Sequence, residues 1–112
     1  MKRFVIGENK FELFLSDNLV CETNFNIELP DEFFTEKYVS LYNLKTYKKF
    51  QEKGNAKYLL EQIFYYVKNK LNHNIITLIV HKENYKAVSL YFSRGFKIFI
   101  EYDNSYSLIK KL

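Results

Sequence analysis

Leu44-Lys45-Thr46-Tyr47-Lys48-Lys49-Phe50-Gln51-Glu52-Lys53-Gly54-Asn55-Ala56-Lys57 is the stretch on which the fold turns. Before it, Tyr38, Val39, Leu41, Tyr42 and Leu44 are β-favouring residues within the segment Lys37 to Thr46. After it the period changes: Ala56, Leu60, Ile63, Phe64, Val67 and Leu71 recur at three and four residues, which predicts an amphipathic helix of about four to five turns. A strand therefore passes through a short loop into a helix, with Gly54 at the helix start. Helix N-termini expose unpaired N–H groups and the positive end of the macrodipole, and a glycine there lets an anionic group reach the backbone. Pyrophosphate is the natural guest of such a loop, and Lys45, Lys48, Lys49, Lys53 and Lys57 add positive charge beside it. A glycine that merely turns the chain beside solvated lysines accounts for the same loop taken alone.

Outward from this stretch, the N-terminal residues read as strands. Phe4 to Ile6 is a short apolar run, Gly7, Glu8 and Asn9 form a turn, and Lys10 to Leu15 places Phe11, Leu13 and Leu15 on one side, which suggests a hairpin. After Ser16, Asp17 and Asn18, the residues Leu19, Cys21, Thr23, Phe25 and Ile27 alternate with Val20, Glu22, Asn24, Asn26 and Glu28, the clearest strand of the chain. Pro30 and Asp31 break it.

On the C-terminal side, Ile75 to Val80 is a continuous apolar run suited to a strand covered on both faces. Asn84 can cap a helix carrying Ala87, Val88, Tyr91 and Phe92, and Gly95 is placed to stop it. Phe96 to Tyr102 and Tyr106 to Leu112, separated by Asp103 and Asn104, complete a pair of strands. The predicted order is β-β-β-β-α-β-α-β-β, an α+β (mixed α/β) domain spanning residues 1–112, without repeats or linkers.

Composition narrows the classes. A chain of 112 residues fits one domain, and 47% hydrophobic residues is too many for a disordered chain. No apolar run has the roughly 18 residues of a membrane span, nor does the start of the chain resemble a signal peptide, so the expected location is cytoplasmic, with no membrane contact. Cys21 has no second cysteine to pair with, and with only His73 and His81 as further soft ligands no metal site is expected. The net charge of +4 is unevenly spread. Residues 1–36 hold three bases against eight acids, so the positive charge lies in the C-terminal two-thirds, where it could meet nucleic acid, an acidic protein or a phosphorylated small molecule.

The ordered pair Leu44-x-Thr46-x-x-x-Phe50-Gln51-x-x-Gly54-x-Ala56 and Asn84-x-x-Ala87-x-x-x-Tyr91-x-x-x-Gly95-Phe96, separated by a strand, resembles the GNAT superfamily of acetyl-CoA-dependent N-acyltransferases from about Tyr38 to Phe99. The resemblance implies a mostly antiparallel sheet with acetyl-CoA as cofactor. Leu44, Lys45 and Thr46 would pair with the pantetheine arm as an added strand. Gln51, Glu52, Lys53, Gly54, Asn55, Ala56 and Lys57 would hold the pyrophosphate through the backbone. Asn84 would contact the pantetheine or the adjacent phosphate, and Tyr91 would sit by the thioester sulfur as the catalytic acid. A tyrosine, with an unperturbed pKa of about 10 against about 8.5 for a thiol, comes to such a site protonated.

The sequence departs from the family in several places. Thr46, Lys48 and Asn55 replace commoner residues at positions where backbone does the binding. Ser40 stands where lysine-acetylating members often carry a glutamate base, which leaves Glu22, Glu36 and Tyr42 as possible proton acceptors through water. Residues 1–36 show hairpin patterning where the family has two helices that roof the acceptor site. An open acceptor cleft is expected in their place, suited to a protein surface or completed by a second subunit in a homodimer.

The resemblance therefore implies acetyl transfer to a primary amine, with a protein lysine slightly preferred over a small molecule. Such reduced domains also resemble phage-encoded inhibitors of host defence. Two other readings remain open. One is a nucleic-acid-binding module, which the sparse arginine (Arg3 and Arg94) argues against; the other is a catalytically inactive interaction protein on the same scaffold.

Overall fold

The structure is a computed structural model and describes residues 1–112. Strands β1 (Lys2–Ile6), β2 (Lys10–Leu15) and β3 (Asn18–Glu28) form an antiparallel meander that continues into β4 (Tyr38–Thr46). The long helix α1 (Asn55–Asn69) then carries the chain to β5 (Ile75–His81), which lies parallel to β4. Helix α2 (Tyr85–Ser93) and the hairpin β6 (Lys97–Glu101) and β7 (Ser105–Lys111) complete a seven-stranded sheet of order β1-β2-β3-β4-β5-β7-β6. All pairings except β4 with β5 are antiparallel, and the element order is the one the residue pattern predicts. Between β1 and β2 the chain turns directly, the Gly7 amide donating to the Lys10 carbonyl at 2.8 Å, so no helix is inserted there.

Helix α1 buries Leu59, Leu60, Ile63, Phe64 and Val67 against β2, β3 and β4. Full burial of each such side chain contributes about 2 kcal/mol. Under this helix Phe11 stacks on Phe25 at 4.1 Å and on Phe4 at 5.7 Å, joining the first three strands to the core. Helix α2 lies beside α1, bridged by the Arg94 to Glu61 ion pair at 3.0 Å, and closes on Gly95 at φ +92°. Both helices occupy one face of the sheet. The other face carries none, and there Ile79 is 69% exposed.

Three irregularities interrupt the sheet register, one of them between Ile98 and Ile100 of β6 and the other two in β3 and β4. Leu13 pairs with Cys21 but Phe14 pairs with Leu19, so Val20 is an extra residue in β3. This bulge turns Val20 and Cys21 both inward, and Val20, expected among the polar set of the strand, is fully buried. Ile27, alternating with the apolar set, is 45% exposed near the strand end. The second bulge lies in β4: Asn24 pairs with Tyr42 whereas Glu22 pairs with Lys45, and Asn43 takes the left-handed conformation at φ +58°. Asparagine is one of the few residues that adopts it at small cost.

Candidate functional site

The β4 bulge creates the site. β4 and β5 pair only from Val39–Ile76 to Leu41–Leu78; beyond Leu41, β4 swings away, and its edge up to Thr46 has no partner on the side of β5. The buried Thr23 hydroxyl donates to the Tyr42 carbonyl at 3.0 Å and fixes the bulge from β3. An opening in the middle of the sheet results, and three connected spaces pass through it.

On the helix face lies a groove of about 680 Å³ between the N-termini of α1 and α2. Of the residues singled out in the sequence, Leu44, Thr46, Gln51, Glu52, Gly54, Asn55, Ala56, Lys57 and Asn84 line it. Lys45 and Lys53 do not: both are exposed, and the Lys45 ammonium lies over the Tyr47 ring at 4.6 Å. The loop is held from within. Gln51 Nε2 donates to the Thr46 carbonyl at 3.0 Å, and the buried Asn55 Nδ2 donates to the Phe50 carbonyl at 2.9 Å. Gly54, at φ +80°, and Glu52, at φ +59°, bend the backbone into the helix. No side chain caps α1, and the N–H groups of Gly54, Asn55, Ala56 and Lys57 have no protein acceptor, so four donors face the groove with the helix dipole behind them. Lys86 of α2 reaches across to Glu52 at 3.0 Å.

A narrower cavity of about 250 Å³ continues from the groove through the opening in the sheet. Leu44, Asn84 and Ala87 line both spaces. Asn84 Oδ1 accepts from the Ala87 amide at 3.4 Å as the cap of α2, leaving its NH₂ group without a protein partner. Tyr91 lines this cavity and not the groove. It is 7% exposed and packs edge-on against Phe96, with centroids 5.5 Å apart. Its hydroxyl makes no hydrogen bond within the protein, yet no sealed side-chain polar atom lacks a partner, so the hydroxyl opens into the cavity. Burial pushes its pKa well above that of an ordinary phenol, with the nearby Cys21 adding in the same direction. Cys21 is itself pushed up by burial and contacts the Thr46 hydroxyl at 3.2 Å.

The third space is a cleft of about 610 Å³ on the helix-free face. Leu41, Tyr42, Asn43, Leu78, Ile79 and His81 line both it and the cavity. No helix roofs this cleft, and the β3–β4 connection borders it, with Phe33 and Phe34 meeting Phe99 of β6 at 5.6 and 5.4 Å between ring centroids. Asp31 shapes this strap: its Oδ1 accepts from the Phe33 and Phe34 amides at 2.8 and 3.0 Å, and its Oδ2 accepts from the Tyr38 hydroxyl at 2.6 Å. That hydroxyl bond holds the Asp31 carboxyl below its usual range and pushes Tyr38 up to about 12.

Ser40, the position compared with a glutamate base, donates to Glu28 Oε2 at 2.8 Å, so a carboxylate does reach this face, from β3. Of the other proton acceptors considered, Tyr42 lines the cleft. Glu22 does not; it is held by Lys10 at 2.8 Å and the Tyr47 hydroxyl at 2.5 Å, and these bonds lower its pKa. Glu36 is exposed and accepts from Asn74 Nδ2 at 3.4 Å, away from the cleft. His81 and Glu28 were not singled out by the sequence. Their only signal was position: His81 ends the buried strand opposite the cap of α2, and Glu28 lies diagonally across from Ser40 in the β3–β4 register. No group of three or more His, Cys, Asp or Glu side chains is gathered as for a metal. No helix is long and apolar enough to cross a membrane.

The sheet and its two helices make a mixed α+β fold on which solved structures superpose, acetyltransferases among them. PH1933 from Pyrococcus horikoshii OT3 matches with a TM-score of 0.79 and 23% identity over 92% of this chain and 64% of its own. The PaiA N-acetyltransferase from Thermoplasma acidophilum, in complex with coenzyme A, matches with a TM-score of 0.79 and 21% identity over 92% of this chain and 60% of its own. The acetyltransferase of GNAT family from Streptococcus pneumoniae matches with a TM-score of 0.77 and 20% identity, over 92% and 65%. The chain thus spans less than two-thirds of the length of each of these proteins. No curated protein sequence matches it. The family model described as FR47-like protein matches residues 21–106, and the chain belongs to that family.

Proposed function

We propose that this chain is an N-acetyltransferase that moves the acetyl group of acetyl-CoA to a primary amine. The passage through the sheet carries this reading. It joins a groove suited to a phosphorylated, extended ligand to a cleft on the opposite face, and it is narrow where the two meet.

The fit of coenzyme A rests on features of this chain. Four unpartnered N–H groups at the start of α1 match a pyrophosphate, and the free edge of β4 at Leu44 to Thr46 matches the amide-bearing pantetheine arm. Lys57 lines the same groove and adds a mobile charge. The Asn84 NH₂ group is available to the arm where the groove narrows. A structural neighbour holding coenzyme A supports the choice.

Acetyl-CoA supplies a thioester carbonyl: the amine nitrogen bonds to the carbonyl carbon, the C–S bond breaks, and the sulfur leaves as thiolate. The unpaired backbone at the β4 bulge offers donors to the carbonyl oxygen as it takes on charge. Tyr91, protonated at neutral pH as any phenol is, points a hydroxyl into the cavity and donates to the departing sulfur. A phenol, with an ordinary pKa of about 10, stabilises a thiolate of pKa about 8.5 by hydrogen bonding as the C–S bond breaks. His81, at the junction of cavity and cleft, is the imidazole positioned to take the proton lost by the amine. A lysine side chain of a protein and a small aliphatic amine both satisfy this chemistry.

Thermal unfolding with and without acetyl-CoA tests the reading, because a ligand selective for the folded state raises Tm. Release of coenzyme A in the presence of an amine tests turnover. No shift in Tm at saturating acetyl-CoA would remove the proposal.

A further inference from the structure

The cleft on the helix-free face carries information about the acceptor. The chain has 17 Lys and Arg residues, yet none lines this cleft. Its polar charge comes from Glu28 and Asp31, and its walls from Phe33, Phe34, Tyr38, Tyr42, Phe99 and Tyr102. Lys57 and Lys86 line the groove on the other side of the sheet instead. An acceptor bearing a carboxylate or phosphate would therefore be enclosed by two carboxylates with no cation to meet it. A cation finds ionised oxygens and the faces of aromatic rings, both of which attract it.

The spacing adds a second constraint. Tyr38, Ser40 and Tyr42 lie on one face of β4, two residues apart, so steps of about 7 Å separate them along the strand. Tyr42 stands at the junction with the cavity, where the reacting nitrogen must sit. One step away, Ser40 holds Glu28 by Oε2, leaving Glu28 Oε1 without a protein partner. A second step away, Tyr38 holds Asp31, whose two oxygens are already engaged by the strap. The open carboxylate oxygen thus lies about 7 Å from the transfer point, too far to take the reacting proton directly and suitably placed for a second charge.

We infer that the acceptor is an aliphatic diamine or polyamine, whose reacting amine sits at the Tyr42 and His81 junction while a second ammonium, four or so carbons away, binds Glu28 between the aromatic walls. This rests on the acetyl-transfer reading and narrows it. The strap of Phe33 and Phe34 over Phe99 suits a slender chain entering end-on.

Three amines of equal length but different distal charge test the inference: putrescine, butylamine and gamma-aminobutyrate, each assayed by coenzyme A release at saturating acetyl-CoA. The expected kcat/KM falls in that order, with putrescine at least tenfold above butylamine. Glu28→Gln keeps the hydrogen bond to Ser40 and removes the charge, and is expected to bring putrescine and butylamine together. Equal rates for the three amines, a preference for aminobutyrate, or faster transfer to a lysine peptide with uncharged neighbours would overturn it. Turnover of none of these amines, with Tm still raised by acetyl-CoA, would also overturn it while leaving cofactor binding intact. A chain that does not bind acetyl-CoA removes the acetyl-transfer reading itself.

Discussion

Leu41 of β4 lies opposite Leu78 of β5, and theirs is the last pairing before the two strands part. Everything proposed for the site depends on that parting. The bulge at Asn43 produces it, and the groove, cavity and cleft meet in the space it leaves.

Tyr91→Phe is expected to lower kcat about a hundredfold while changing KM for acetyl-CoA little, because the role proposed for the lost hydroxyl is at the leaving sulfur. Since that hydroxyl makes no bond within the protein, the cost in stability is expected to be below about 1 kcal/mol. Steady-state kinetics with a denaturation curve checks both; a variant with unchanged kcat would remove Tyr91 from the chemistry.

His81→Gln is expected to slow transfer at neutral pH and leave acetyl-CoA binding intact. The loss should shrink as pH rises towards about 10, because an aliphatic amine near its own pKa arrives already deprotonated. A pH–rate comparison of the two proteins reads this directly, and a loss that stays constant with pH would show that His81 does not receive the proton.

Gly54→Ala places a side chain on a backbone at φ +80°. The left-handed conformation costs a non-glycine residue about 1 kcal/mol, so stability should fall by that much. No neighbour lies within 4 Å of the added methyl group, so the fold should otherwise survive. Calorimetric titration is expected to show several-fold weaker binding of coenzyme A, whose pyrophosphate must approach the same backbone.

Glu22 links stability to pH. Its hydrogen bonds with Lys10 and Tyr47 hold its pKa below the ordinary 4.5, so the folded state prefers the ionised form. The stabilisation is therefore complete above about pH 4.5 and lost as pH falls through the folded-state value. Glu22→Gln is expected to cost about 1 kcal/mol at pH 7 and almost nothing in acid. Urea denaturation at several pH values measures the difference, and a cost independent of pH would rule out the carboxylate's charge as its source.

The order of elements was readable because the apolar periods are strong and change cleanly, from two in Leu19 to Ile27 to three and four after Ala56. Gly54, Asn84 and Gly95 marked real boundaries, and the structure has each at a helix end. The bulges were not readable. An inserted residue such as Val20 is as apolar as its neighbours, and alternation cannot say which way it turns. Asn43 had a weak signal, asparagine's tolerance of positive φ, inside a run otherwise typical of a strand. His81, Glu28 and the Phe33 and Phe34 strap depend on contacts between segments far apart in the chain, and those follow from the register of the sheet and not from local pattern.

Because the passage runs through the sheet, the proposed donor and acceptor would use separate doors on opposite sides of the molecule. Neither ligand obstructs the entry or exit of the other, so no compulsory order of addition is imposed by access. Initial-rate plots should intersect, as for a ternary complex assembled in either sequence, and free coenzyme A should compete with acetyl-CoA without competing with the amine.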